Sequence, residues 1–112
     1  MKYVPLAMAL LLSSDACSST QDEIDHLLSF VESTKCQYER NGTLHSGDEA
    51  VKHIKSKADH YADKIHSTED FIAYSATQSI LSGRYYQVHC EGLEPITSEV
   101  WLKNELADFR AK

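Results

Sequence analysis

Glycine and proline are scarce in this sequence, with four and two residues respectively among 112. So few glycines exclude a glycine-rich phosphate loop, because such a loop needs several positions where the backbone approaches its ligand closely. The sequence also lacks the roughly 20 consecutive apolar residues that a membrane-spanning helix requires. HExxH, GxSxG and paired CxxC motifs are absent too. The sequence therefore predicts no transmembrane segment and contains no motif of a zinc protease, an α/β-hydrolase or a zinc finger.

Positive charge is also in short supply. Lys and Arg number 11 against 17 Asp and Glu, which gives a formal net charge of −6. The charges are scattered along the chain, so no basic stripe is present to neutralise a nucleic-acid backbone. We therefore expect no nucleic-acid partner, and no motif indicates a cofactor. The content of 42% apolar and 25% charged residues is typical of one globular domain.

The N-terminal residues have the pattern of a secretory signal peptide. Lys2 is followed by an apolar run from Val4 to Leu12, and small residues come next. Cleavage after Ala16 and cleavage after Ser18 both satisfy the preference for small residues, and the sequence does not decide between them. Export of the mature chain as a soluble protein is the prediction.

This interpretation divides the chain into a signal peptide, residues 1–18, and a single α+β domain, residues 19–112. Cys17 lies shortly after the apolar run. The alternative localisation is therefore a lipoprotein whose acylated Cys17 anchors it to the membrane.

Two cysteines, Cys36 and Cys90, remain if cleavage removes Cys17. An even count in an exported domain of this size predicts one disulfide, whereas a reactive thiol is the alternative. Alternation places Cys36 on the same side of one strand as Tyr38, and Cys90 on the same side of another strand as Val88. This parity supports a bridge between neighbouring strands.

Helical and extended patterns alternate along the mature chain and predict an α+β fold. About four helices are expected, with a small antiparallel sheet made of a hairpin and one or two further short strands. Capping-box spacings predict a first helix from Thr20 to about Ser33 and a second from Ser46 to about Ile65. Asn41-Gly42 predicts a tight hairpin turn between them.

The second half of the chain continues the pattern. A third helix is predicted from Ser67 or Thr68 to the Ser82-Gly83 stop, with Ile80 facing the core. A strand from Tyr85 to Cys90 follows. The last helix is predicted to begin at Thr97 or Ser98.

Several short segments together match one family pattern: CQYERNG at 36–42, Ser46 with Glu49-Ala50 and His53, STEDFI at 67–72, Ser79 with Leu81-Ser82-Gly83 and Tyr86, and Ser98 with Trp101-Leu102. On these segments the chain resembles the DUF5329 family of small exported proteobacterial proteins, over nearly all of the mature chain. The resemblance implies a periplasmic setting and brings no catalytic residues with it. His45 and Tyr85 depart from the pattern, in which Tyr and Pro are usual.

A binding surface is the first candidate site. The hairpin turn and the segment before the second strand supply its residues: Arg40, Asn41, Gly42, Ser82, Gly83, Tyr85 and Tyr86. In addition, His53 and Lys57 lie one turn apart on the predicted second helix and are spaced to hold an anionic ligand. We predict a non-enzymatic binding module, a monomer or small homo-oligomer, whose partner is a protein or an envelope component.

A small hydrolase or metal-dependent enzyme is the alternative function. His60 and Asp63 are spaced for one face of the predicted second helix, and His66, three residues further on, extends this candidate metal site. Serines at 75, 79 and 82 are spaced for one face of the predicted third helix, but the sequence identifies no base beside them. We therefore assign no catalytic residue and no metal ligand.

Overall fold

The computed structural model describes residues 18–112, so the predicted signal peptide as far as Cys17 lies outside the described residues. Four helices and four strands follow one another as α1 (Thr20–Glu32), β1 (Gln37–Arg40), β2 (Thr43–His45), α2 (Gly47–His60), α3 (Thr68–Ser75), β3 (Gln87–His89), β4 (Ile96–Thr97) and α4 (Ser98–Arg110). The predicted α+β class and the antiparallel sheet are confirmed. No helix among residues 18–112 has the length and apolar character needed to cross a membrane.

The first two helices begin with capping boxes. At α1 the cap is Ser19, one residue before the predicted Thr20, and its hydroxyl accepts a hydrogen bond from the Asp22 amide at 3.0 Å. At α2 the predicted box of Ser46 and Glu49 is confirmed. These side chains satisfy amide groups that the first helical turn leaves without partners. The second helix ends at His60, and a short 3-10 turn at Ala62–Lys64 follows it.

The antiparallel sheet has the order β2-β1-β3-β4. The predicted hairpin joins β1 to β2, and both turn residues have positive φ, 51° at Asn41 and 83° at Gly42. Such values match the twist of the paired strands and explain why Asn-Gly is favoured there. Tyr38 lies opposite His45 on one side and opposite Val88 on the other.

The Cys36–Cys90 disulfide is confirmed, with an S–S distance of 2.02 Å and Cα atoms 4.4 Å apart. Its residues continue the register of β1 with β3 by one pair beyond Gln37 and His89. The bridge therefore joins directly opposed positions at the end of the sheet remote from the hairpin turn.

The predicted extent of α3 is wrong. The helix ends at Ser75, whose hydroxyl donates back to the Phe71 carbonyl, while the Thr77 hydroxyl donates to the Ile72 carbonyl. Hydroxyl groups near the end of the helix thus bond back to its carbonyl groups, and such bonds compete with continuation of the helix. Residues 76–86 form a loop instead, and Ile80, predicted to face inward, is 62% exposed.

The core lies between the helices and one face of the sheet. Its fully buried residues come from every helix and from the two central strands, with Tyr86 just before β3: Leu27, Tyr38, Ile54, Ile72, Tyr86, Val88 and Leu102. Close contacts also connect the helices. A Cβ atom at Gly47 would lie 2.2 Å from the Val31 carbonyl oxygen, and Arg110 of α4 forms ion pairs with Glu23 and Glu69.

Candidate functional site

A group of polar side chains converges at the hairpin end of the sheet. The second helix contributes His53 and Lys57 from successive turns, β1 ends in Arg40, and Tyr86 immediately precedes β3. With Asn41, Ser79, Ile80 and Leu81 they line a cavity of about 190 Å³, which we call the basic pocket. The anion-binding hypothesis for His53 and Lys57 therefore concerns two residues that share one cavity.

Lys57 is unusually well buried for a lysine, with 9% of its surface exposed. Its Nζ atom donates to the Gln78 carbonyl oxygen at 2.7 Å and to the Tyr86 hydroxyl at 3.0 Å. An ammonium group has three donors, so one N–H of Lys57 remains for a ligand. Burial, and then the nearby Arg40, lowers the pKa of Lys57.

His53 completes the hydrogen-bond chain. Its Nε2 atom lies 3.1 Å from the Tyr86 hydroxyl and 3.5 Å from Nη1 of Arg40. Nη1 of Arg40 can only donate, so its contact gives Nε2 the acceptor role, and the Tyr86 hydroxyl accepts from Lys57 while its own proton is free to point to Nε2. Burial, followed by the charges of Arg40, Lys57 and His45, lowers the pKa of His53 to about 4. The imidazole is therefore neutral at pH 7, in agreement with its acceptor role.

The pocket has no opposing negative charge in the part of the chain that the structure describes. None of the ion pairs among residues 18–112 includes Arg40 or Lys57. In the same range, Nε of Arg40 is buried and has no hydrogen-bond partner. Burial also raises the pKa of Tyr86, so its hydroxyl stays protonated and uncharged. The cluster carries two positive charges at pH 7.

Side-chain hydrogen bonds connect the hairpin turn to the loop of residues 76–86. The Ser82 hydroxyl donates to Oδ1 of Asn41 at 2.6 Å, and the Asn41 amide donates to the Ser79 hydroxyl at 3.4 Å. Within the loop, the Ser79 amide donates to the Arg84 carbonyl at 2.9 Å. Both segments therefore border the basic pocket as one connected structure.

The predicted binding surface is brought together in part. Arg40, Asn41 and Ser82 meet at the pocket and its border, and Tyr85 is 56% exposed. Tyr86 is buried rather than superficial, because strand alternation turns it to the opposite side from Tyr85. Tyr86 nevertheless lines the basic pocket, where its hydroxyl group contacts Nε2 of His53.

Three lining residues were missed from the sequence: Ser79, Ile80 and Leu81. The sequence pattern places all three on the predicted third helix, with Ile80 in the core. Ser75 and Thr77, on either side of Ala76, were the available signal for an earlier helix end, because Ser and Thr side chains compete for helical carbonyl groups.

The alternative enzymatic sites are not assembled. His60 ends α2 and packs its ring against Tyr61, so Asp63 and His66 do not continue the same helix face. Among residues 18–112, no group of three or more His, Cys, Asp or Glu residues is placed to hold a metal ion.

The serines that were spaced for one helix face lie on different structures, because the helix ends at Ser75. Ser79 and Ser82 instead hydrogen-bond with Asn41. Within the described range, none of the three hydrogen-bonds a histidine.

Comparison with known proteins identifies a family. The model of the family described as "Family of unknown function (DUF5329)" matches residues 18–110. No curated protein and no solved structure matches the chain. The matched range includes every helix and strand described above as well as the whole basic pocket. The chain therefore belongs to the DUF5329 family.

Proposed function

We propose that this protein is an exported, non-enzymatic binding module of the bacterial periplasm. Its binding surface consists of the hairpin turn and the loop of residues 76–86, and its partner is a protein or another envelope component. The observation that carries the proposal is the exposure of large apolar side chains beside the basic pocket. Ile80 is 62% exposed and Leu81 is 97% exposed, and both lie at the pocket.

Apolar side chains of this size are favourable to bury, and exposed clusters of them are typical of interaction sites. A charged pocket bordered by apolar residues supplies both parts of an interface, since apolar contacts give affinity and charges give orientation. The hydrogen bonds of Asn41 with Ser79 and Ser82 hold the two segments in a fixed relation. Preorganisation of this kind lowers the entropic cost of binding.

Export is supported by the sequence pattern before residue 18 and by the Cys36–Cys90 bridge, because disulfides persist in oxidising compartments. Intact-mass measurement of the protein recovered from its native cells tests this proposal. A chain that starts at Cys17 or Ser19 without an adduct supports a soluble exported protein. An acyl adduct on Cys17 would identify a lipoprotein instead, and a full-length chain starting at Met1 would contradict export.

Site-specific photo-cross-linking in the producing cells tests the binding surface. A photoreactive amino acid is placed at Leu81, and a matched variant has it at Leu93, which is 72% exposed at the disulfide end of the sheet. We expect one recurrent adduct from position 81 that position 93 does not give. Equal adducts from both positions, or none from position 81, would refute the proposed surface.

A further inference from the structure

The basic pocket contains charge that the described residues do not balance. Its guanidinium and ammonium groups, from Arg40 and Lys57, belong to no ion pair in residues 18–112. Two acidic side chains on the same elements are engaged elsewhere, Glu39 with His89 and Glu49 with His45, and no acidic residue lines the pocket in the described part of the chain. Partly buried cations without a counter-charge are unfavourable, so such a site is best satisfied by an external anion.

Unused hydrogen-bond donors at the same site give a second, independent indication. The buried Nε of Arg40 has no partner in the described part of the chain. Lys57 uses only two of its three donors, and the Asn41 side chain also lines the cavity. A ligand with several acceptor oxygens suits a cavity that is lined by a guanidinium, an ammonium and a side-chain amide.

We propose that the basic pocket binds a phosphate group. Two positive charges match a phosphate dianion, whereas a carboxylate would neutralise only one of them. An arginine beside a lysine is the pair of cations that phosphate recognition commonly uses. The cavity of about 190 Å³ is smaller than pockets that enclose a whole drug-sized ligand, and it suits one compact group. This inference rests on the proposed function and names the ligand chemistry of that surface.

The border of the pocket indicates what the phosphate is attached to. Ile80 and Leu81 line the opening and are largely exposed. A phosphate group in the cavity would leave the rest of its molecule beside these apolar side chains. A phosphomonoester lipid headgroup meets that requirement, while inorganic phosphate is the other source of the same chemistry.

The pKa of His53 is expected to change when phosphate binds in the pocket. It faces Arg40 from β1, Lys57 from its own helix, His45 from β2 and the hydroxyl of Tyr86. Without an anion, burial and these positive charges keep its pKa at about 4. A bound phosphate would stabilise the imidazolium form and raise that pKa.

The first experiment titrates the full mature chain, with its disulfide intact, with inorganic phosphate at constant ionic strength, followed by NMR of the histidine rings. We expect saturable shifts of His53 and a rise in its pKa. Lys57→Met and Arg40→Met are expected to weaken binding at least tenfold. Lys55→Met is the matched control, because Lys55 lies on the same helix but is exposed outside the pocket.

Lys57→Met also keeps the test interpretable, because Lys57 has no ion-pair partner in the described residues that its removal would leave as an unpaired charge. Its folding is verified by thermal unfolding. Equal phosphate affinity in the wild-type, Lys57→Met and Lys55→Met proteins would refute the proposal. An absence of saturable shifts at His53 would refute it as well.

Vesicles distinguish the two sources of phosphate. Phosphatidylcholine vesicles with and without phosphatidic acid are mixed with wild-type, Lys57→Met and Leu81→Ser proteins. Binding that requires phosphatidic acid and is lost in both variants supports a lipid headgroup. Saturable binding of inorganic phosphate without vesicle binding supports a soluble source. Vesicle binding that Lys57→Met leaves unchanged would place the lipid outside the pocket and contradict the assignment.

These outcomes are separate from those of the cross-linking test. If Lys57→Met abolishes phosphate binding while position 81 gives no adduct, the pocket assignment holds and the proposed partner surface fails. If position 81 gives its adduct but phosphate does not bind, the surface holds and the ligand assignment fails.

Discussion

Removing the Cys36–Cys90 disulfide is expected to lower the free energy of unfolding by about 4 kcal/mol. The two cysteines are 54 residues apart in sequence, and the closure of a loop of that length in the unfolded chain sets the magnitude. Both side chains are only partly buried, so loss of packing adds little. A domain of this size has a total stability of about 5–15 kcal/mol, so the bridge supplies a large share.

Urea unfolding of the oxidised and fully reduced protein measures this difference. The reduced chain should also show a larger dependence of the free energy on urea, because its unfolded state is more expanded. The double variant with both cysteines changed to serine is the control, and it should match the reduced protein and be insensitive to reductant. A loss below about 1 kcal/mol in protein shown by mass to be fully reduced would refute the loop-closure argument.

Two further predictions concern contacts between helices. Gly47→Ala is expected to cost about 3 kcal/mol in urea unfolding, because its Cβ would lie 2.2 Å from the Val31 carbonyl oxygen. A cost within 1 kcal/mol would be inconsistent with so close an approach. Arg110→Gln is expected to cost about 2 kcal/mol at pH 7, because the buried carboxylate of Glu23 loses two charge-assisted hydrogen bonds. The same contacts lower the pKa of Glu23. That stabilisation is present above the unfolded pKa of about 4.5 and is lost as pH falls through the lower folded pKa value, so the difference between the two proteins should shrink in acid. A difference that stays constant down to pH 2 would contradict this account.

Local signals were sufficient for the elements that depend on neighbouring residues. The Asn41-Gly42 turn needs two positive φ values, which those two residues tolerate, and the hairpin follows from them. The α2 capping box is likewise a contact between residues three apart. The end of α3 was not predicted, because Ile80 continues the helical periodicity and the competing bridge between Gln78 and Tyr85 closes a loop. Helical periodicity in the sequence gives no information about a bridge to Tyr85, so it could not predict where the helix ends.

In the candidate site, too, the features set by neighbouring residues were predictable and those set by tertiary contacts were not. The spacing of His53 and Lys57 on one helix was visible in the sequence, and it pointed to an anion. Their meeting with Tyr86, which is 29 residues beyond Lys57, depends on the docking of α2 against the sheet. Arg40 was assigned to the binding surface through its position at the hairpin turn, but its contact with His53 is a tertiary one. Sequence pattern supplies such residues separately and does not assemble them.

The short outer strands limit one mode of binding, the addition of a further strand to the edge of the sheet. In the order β2-β1-β3-β4 the edges are a strand of three residues and a strand of two. Edges this short present few unpaired backbone groups, so an extended peptide has almost no template on which to add a further strand. Self-association through edge-to-edge stacking, the first step towards fibrils, is hindered for the same reason. A partner of the proposed binding surface would then be recognised through side chains, and its selectivity could change by substitution at the surface while the backbone stays as it is.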